Sequence, residues 1–355
     1  MTDPFRIDSH KMIYHVERVA DWLKGRWVCP IYLEIAPSGG CNHRCIFCAL
    51  DYLAYKPVFL DKEVLKKALR QAGALGVKSV MFAGEGEPLL HPQAPDFILE
   101  ARRSGLDVSV TTNGVLLNET VARRILPVLS WIRVSLNAGT PAGYAKVHRT
   151  KEEDFRTVLK NLRHAAGLKK KYRWPVTIGV QFLLIPENIA EALTLARELK
   201  KTGVDYLSIK PYSQHPLSKC RIKGNFSYQD HFSLEKSLRK ISGGGFSVIF
   251  RAQTMERLSS GKDYDRCYGL PFWAYIAANG DVYACSAFLG KKEYRYGNIY
   301  KLGLSRVLKG ARRKAILSRA ENSMDVTGCR EVCRLDKINS YLWELKNPGP
   351  HVNFI

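Results

Sequence analysis

Three cysteines fall within eight positions of the stretch GGCNHRCIFCALDY: Cys41, Cys45 and Cys48, with Phe47 directly before the last. Three thiols cannot pair off among themselves, and they are one short of a closed tetrahedral site. Three thiolates can hold three irons of a [4Fe–4S] cube and leave the fourth iron open, and an open metal position is what catalysis requires. The spacing alone also allows structural zinc, with His43 or a remote residue as fourth ligand. A second group, Cys267, Cys285, Cys329 and Cys333, supplies the four thiols that close one cluster, or one zinc site, completely. Cys29 and Cys220 stand apart from both groups.

These residues need elements to position them. Apolar strand-like runs at 30–36, 79–83, 108–112, 131–136, 176–185 and 206–212 alternate with helix-like stretches. The segment from Asp61 to Gly76 shows the type: Asp61 can cap, Val64, Leu65, Ala68, Leu69 and Ala72 recur at helical spacing, and Gly76 ends it. Six strand–helix units in order imply a parallel sheet with helices outside, and their length suits an incomplete form of the eight-unit barrel, which needs roughly 250 residues. Ligands of such sheets sit at the carboxyl ends of the strands. Cys41, Cys45 and Cys48 follow the first strand and so belong to that rim.

Beyond about residue 245 the pattern changes. Asn279-Gly280 reads as a tight turn between alternating segments, followed by a basic helix over 302–320 and then TGCREVC. The expected organisation is an N-terminal extension (1–27), a barrel domain (28–245) and a smaller α+β domain (246–355), with no internal repeat or low-complexity linker.

The chain has 355 residues, 46% of them hydrophobic, and a formal charge of +22. No stretch approaches about 18 uninterrupted apolar residues, and the N-terminus carries no signal-peptide run, so a cytoplasmic protein without membrane association is expected. That compartment keeps thiols reduced, which directs clustered cysteines to metal or catalysis. The lysines and arginines are scattered as in KKKYR and GKKEYR, a pattern that solvated helix faces explain. The same charge would draw in polyanions such as nucleotides or phosphorylated substrates. Nucleic acid is not the expected partner, because regular aromatic interleaving is missing.

CNHRCIFC after a first strand resembles the CxxxCxΦC signature of the radical S-adenosylmethionine superfamily, with Phe47 in the aromatic position. The resemblance runs through 30–215. AGEGEPLLHP resembles the family's GGEP segment, which receives the amino group of the methionine moiety; Gly86, Glu87 and Pro88 match, whereas Glu85 replaces the first glycine. Ser135 and Asn137 in RVSLNAG stand where the family often contacts ribose and carboxylate, and Asn113 in TTNG is either a further contact or a turn residue. Cys267, Cys285, Cys329 and Cys333, with YGNIY at 296–300, look like the SPASM/twitch extension of the superfamily with one auxiliary cluster.

The resemblance implies a partial (β/α)6 TIM-like barrel with a C-terminal twitch/SPASM-like domain. Its cofactors would be an open-iron [4Fe–4S] cluster, S-adenosyl-L-methionine and an auxiliary [4Fe–4S] cluster. The activity would be reductive cleavage to a 5′-deoxyadenosyl radical and hydrogen abstraction from a small polar, anionic or nucleotide-linked, sugar-like substrate, ending in dehydrogenation, epimerisation or decarboxylation. A flavodoxin or ferredoxin would supply the electron. Peptide modification is the alternative, weakened because only some 28 residues precede the first strand, and RNA modification ranks below it. Cys220, after the sixth strand, is a candidate hydrogen donor or a plain loop thiol. Lys210, Tyr212 and Gln214 could meet a polar substrate, His215 reads as a surface histidine, and Cys29 as a small buried residue.

Overall fold

The computed structural model describes residues 5–7, 9–222 and 226–354; positions 1–4 and 8 of the expected extension, 223–225 of the expected barrel domain and 355 of the expected C-terminal domain lie outside them. All six expected strands are present: β1 (Tyr32–Ile35), β2 (Ser79–Phe82), β3 (Asp107–Thr112), β4 (Trp131–Ser135), β5 (Thr177–Leu184) and β6 (Tyr206–Pro211). They pair in parallel and in chain order. Along each strand alternate side chains pack outward against helices, as Leu33 and Ile35 do on β1 and Ile132 and Val134 on β4, all completely buried.

The helix Lys62–Leu75 shows how local chemistry builds the outer layer. The Asp61 carboxylate accepts from the free N–H groups of Glu63 and Val64, both at 2.9 Å, and Gly76 ends the helix at φ +88°. Between these stops Leu65, Ala68, Leu69 and Ala72 form the buried stripe, and each buried leucine contributes about 2 kcal/mol.

The sheet does not end with the sixth strand. β7 (Ser247–Phe250) pairs in parallel with β6, and β8 (Trp273–Ile276) pairs in parallel with β1. β9 (Asp281–Tyr283) turns back antiparallel to β8 through Asn279 and Gly280, and β10 (Arg295–Asn298) follows antiparallel to β9. One ten-stranded sheet therefore runs β10-β9-β8-β1-β2-β3-β4-β5-β6-β7. The YGNIY segment joins the hairpin to the helix that follows, because Asn298 donates to Asp281 at 2.9 Å and accepts from the Tyr300 N–H at 2.9 Å. The single helix expected over 302–320 is two, Ile299–Lys309 and Ala311–Ser323, divided at Gly310, and the first is kinked where Gly303 takes φ +70°.

Candidate functional site

The loop leaving β1 is pinned from two sides. Arg44 and Ile46 donate backbone N–H groups to His148 and Val147 at 3.1 and 3.0 Å, and the Gly40 carbonyl accepts from Glu87 at 2.8 Å. A Cβ at Gly86 would lie 2.2 Å from the Gly40 oxygen, so the GEGEP segment can lie against the cysteine loop only with glycine there. Cys41, Cys45 and Cys48 are thereby gathered, unbridged, on the rim. Burial pushes the Cys41 thiol up to about 11, raises Cys48, and together with the neighbouring thiols raises Cys45 well above its ordinary value. Such a set ionises only when a cation compensates the buried charge.

The Cys45 sulfur has a partner that sequence reasoning missed. His148, at the end of the helix Pro141–His148, is 1% exposed, and its Nδ1 lies 3.3 Å from Cys45 Sγ. Its Nε2 accepts from the backbone N–H of Asn137 at 3.1 Å, and burial keeps the imidazole neutral, so the ring proton sits on Nδ1 and points at sulfur. Tyr144 stacks on the ring at 4.1 Å and Phe47 meets it edge-on at 5.4 Å. The expected aromatic at position 47 thus steadies the donor to Cys45.

His43 and His148 flank Cys45: one ring nitrogen of each and the Cys45 sulfur lie within 4.8 Å of one another. His43 Nε2 lies 3.3 Å from Asp154 Oδ2.

Glu87 is 3% exposed and accepts from Thr112 Oγ1 at 2.6 Å, the Asn113 N–H at 2.8 Å and the Leu89 N–H at 3.1 Å. Its carboxylate clamps the end of β2 to the end of β3, with Pro88 opening the short turn Pro88–Leu90. Asn113 is both turn residue and link, accepting from Val115 at 3.1 Å and donating to Asn42 of the cysteine loop at 2.6 Å. Asn137 Oδ1 accepts from the Leu183 N–H at 2.6 Å, which commits its carboxamide to β5, while Ser135 ends β4 half-buried on the rim. The departure at Glu85 has a structural cause: its carboxylate accepts from Ala278 N–H at 2.6 Å and its N–H donates to Tyr275 OH at 3.0 Å, latching the segment to the β8–β9 hairpin.

The loop after β6 reaches the same cysteines. Ser218 Oγ donates to the Cys48 carbonyl at 3.0 Å, the Asp51 carboxylate accepts from the Lys219 and Cys220 N–H groups at 3.0 and 2.7 Å, and Cys220 Sγ lies 3.8 Å from the Cys45 carbonyl. Burial, then the facing Asp51, pushes the Cys220 thiol up to about 11. His215 is not the expected surface histidine: it is 2% exposed and stacks on Tyr52, because its loop folds down onto the segment after Cys48. Burial and the nearby Arg330 depress its imidazole to about 4. Cys29 is buried in the core as expected.

Cys267, Cys285, Cys329 and Cys333 converge at the other end of the chain. Burial, then the charges of Cys267, Cys333 and Cys329, raises Cys285 well above its ordinary value. Each of three sulfurs accepts an N–H: Cys285 from Ala287 at 3.3 Å, Cys333 from Leu335 at 3.3 Å and Cys267 from Asn339 at 3.5 Å. The loop 329–334 lies against the barrel, where Arg330 Nε donates to the Ser213 carbonyl at 3.1 Å and Arg334 pairs with Glu34 of β1 at 2.7 Å.

Comparison with known proteins agrees with this layout. The description Radical SAM superfamily matches residues 35–199, and an iron-sulfur cluster-binding domain, SPASM, matches 267–334. A GTP 3′,8-cyclase of Chlorobaculum tepidum is 28% identical over 189 residues, which span 52% of this chain and 56% of that relative's length. The tungsten-containing aldehyde ferredoxin oxidoreductase cofactor-modifying protein of Pyrococcus furiosus is 26% identical over 293 residues, 77% of each chain. The fold is shared with Streptococcus suis SuiB bound to S-adenosylmethionine, at TM-score 0.67 and 18% identity over 96% of this chain and 80% of that one.

Proposed function

We propose, from the premise that the chain belongs to the radical S-adenosylmethionine superfamily and carries a SPASM iron–sulfur domain, that it is an enzyme removing a hydrogen atom from a small polar, anionic, sugar-like or nucleotide-linked substrate. Both domains imply their cofactors, a [4Fe–4S] cluster working with S-adenosylmethionine and an auxiliary cluster. In this reading Cys41, Cys45 and Cys48 hold the first and Cys267, Cys285, Cys329 and Cys333 the second. Bound together, cluster and S-adenosylmethionine supply a 5′-deoxyadenosyl radical able to break an unactivated C–H bond.

The observation that carries the reading is the meeting of both thiol groups at one barrel. The three-cysteine loop stands on the rim of β1, and the loop of Cys329 and Cys333 is tied to Ser213 beyond β6 and to Glu34 on β1. A substrate held between them would be shielded from water by the sheet and would face Cys267, Cys285, Cys329 and Cys333, which would hold a fully ligated auxiliary cluster able to accept the electron. Dehydrogenation is therefore the leading outcome; epimerisation, with Cys220 as hydrogen donor, and decarboxylation are its rivals. Gly86, Glu87, Pro88, Asn113, Ser135 and Asn137 shape the S-adenosylmethionine side, Glu87 and Asn137 by holding the rim backbone. The high positive charge and the relative named for GTP support an anionic substrate. Peptide modification is the second reading, favoured by the fold shared with SuiB, which is also solved with a precursor peptide. A flavodoxin- or ferredoxin-like reductant and a cytoplasmic setting complete the proposal.

The test is anaerobic reconstitution and reduction. 5′-Deoxyadenosine should form slowly from S-adenosylmethionine alone, and faster with one member of a set of nucleotide sugars and sugar phosphates. Stimulation only by peptides sinks the substrate class; S-adenosylhomocysteine as main product sinks the radical reading.

A further inference from the structure

Among the described residues the inner face of the barrel carries more positive charge than carboxylates pair with it. Because Ile132 and Val134 face the helices, Arg133 and Ser135 face inward on β4; on β6, between the outward Leu207 and Ile209, Ser208 and Lys210 do the same. Register sets Arg133 beside Gly179 of β5 and Gly179 beside Tyr206 of β6. A Cβ at Gly179 would meet the Tyr206 ring at 2.0 Å, so the missing side chain lets that ring lie across β5. The loop 329–334 brings Arg330 to Ser213, just beyond β6, and Arg334 to Glu34 on β1.

Among the described residues Arg133, Lys210, Arg330 and Arg334 meet one carboxylate in an ion pair, Glu34, which Arg334 already occupies. Among the described residues no carboxylate pairs with Arg133, Lys210 or Arg330, and the Arg133 Nε is buried without a hydrogen-bond partner. Burial, with Arg330, Arg133, Arg251 and Arg334 nearby, pushes the Lys210 ammonium well below its ordinary value. Charges held this close out of water are costly unless an anion joins them.

We propose that the inner face between β4, β6 and the loop 329–334 binds a multiply charged phosphate group of the substrate, a phosphate ester or diphosphate. This deepens the functional reading above and rests on it for the word substrate. A single carboxylate would leave most of the cationic excess unbalanced, whereas a phosphate offers several oxygens to arginine forks and to the lysine point charge. Arg330 and Arg334 flank Cys333, so the negative charge of a four-thiolate cluster is the competing explanation for those two. It does not explain Arg133 and Lys210, which belong to barrel strands. Arg133 and Lys210 come from barrel strands and Arg330 from the loop 329–334, so the site is two-sided in the sense that a bound phosphate bridges the barrel to the loop that carries Cys329 and Cys333.

The experiment is calorimetric titration of inorganic pyrophosphate into anaerobically reconstituted holoprotein with S-adenosylmethionine present and no reductant, at fixed salt. One site per chain is expected, weakened at least tenfold in Arg133→Gln and in Lys210→Gln and recovered in Lys210→Arg. A paired change on the outer helix Glu152–Tyr172, Lys160→Gln with Lys171→Gln, should bind as wild type does. Iron content of each variant separates misfolding from a lost site. Binding that survives both barrel changes, or falls as much in the outer-helix pair, overturns the proposal. Arg330→Gln that alters the spectrum of the auxiliary cluster yet leaves pyrophosphate binding untouched overturns the two-sided site. S-adenosylmethionine cleavage by wild type without pyrophosphate is scored separately, so failure of the radical reading and failure of the anion site are told apart.

Discussion

His148 gives the sharpest test of the site's electrostatics. Its Nδ1–H faces Cys45 Sγ at 3.3 Å, and the Asn137 N–H at Nε2 fixes that tautomer. A hydrogen bond to a charged acceptor is worth about 1.5–3 kcal/mol, and it strengthens as the acceptor gains negative charge. If the sulfur's gain on one-electron reduction strengthens the bond by a third to a half, the reduced state is favoured by about 1 kcal/mol. For one electron that is about 40 mV. His148→Phe keeps an aromatic ring against Tyr144 but removes the donor, so the midpoint potential of the three-cysteine cluster should fall by roughly that amount, whereas His148→Gln, which retains an N–H, should fall by less. The assay is a redox titration followed by electron paramagnetic resonance, in protein whose auxiliary cysteines are replaced so that one cluster is observed. His148→Phe also strands the Asn137 N–H, a separate loss of about 1–3 kcal/mol that thermal unfolding reads. An unchanged potential, or equal shifts in the Phe and Gln variants, refutes the donor assignment, because a merely structural histidine would move stability and not potential.

Iron analysis of the reconstituted protein should give about eight irons per chain and about four after Cys41, Cys45 and Cys48 are changed together to Ala; a wild-type value near four with zinc in the balance would reject the auxiliary cluster. Gly86→Ala sets a methyl group 2.2 Å from the Gly40 oxygen, so the cysteine loop must shift: a stability loss of about 1–3 kcal/mol in chemical denaturation and a fall in bound iron are expected, and an unaffected variant would contradict the close approach. With the true substrate in deuterium oxide, product two hydrogens lighter from both wild type and Cys220→Ala is expected of dehydrogenation. One carbon-bound deuterium in the product, with Cys220→Ala stalled after 5′-deoxyadenosine, would instead make Cys220 the hydrogen donor.

What the sequence disclosed follows from how local the physics is. Cys41, Cys45 and Cys48 are legible as a group because their spacing lies within one loop, and Asp61 and Gly76 because a helix announces its own ends. His148 is a single histidine about a hundred positions from its sulfur, and only the fold brings it there. A faint signal exists in Tyr144 and His148, four apart on one helix that follows the β4 rim, so that one ring can stack on the other. The role of Glu85, which replaces the first glycine of the GGEP pattern, is not legible in sequence because its partners, Tyr275 and Ala278, lie nearly two hundred residues on. The helical spacing over 302–320 runs through Gly303 and Gly310, where backbone freedom outweighs it.

The same distant contacts explain why the two cysteine sets cannot be treated as separate modules. β1 carries the three-cysteine loop and has β2 on one side only; without β8 its other edge would expose unpaired N–H and C=O groups. β8 supplies that partner from Tyr32↔Trp273 to Ile35↔Ile276, and the strand's next residue continues it, Ala36 N–H to the Ile276 carbonyl at 2.9 Å. The β8–β9 hairpin that follows leads into Cys285 on one side and receives Glu85 on the other. Glu85 thus ties the hairpin to the segment 85–88 that packs on the Cys41 loop, and the Glu34–Arg334 pair ties β1 to the residue after Cys333. The strand that closes the barrel edge is thus also the element that sets the two thiol groups in register, and the C-terminal segment acts as part of the wall of the site.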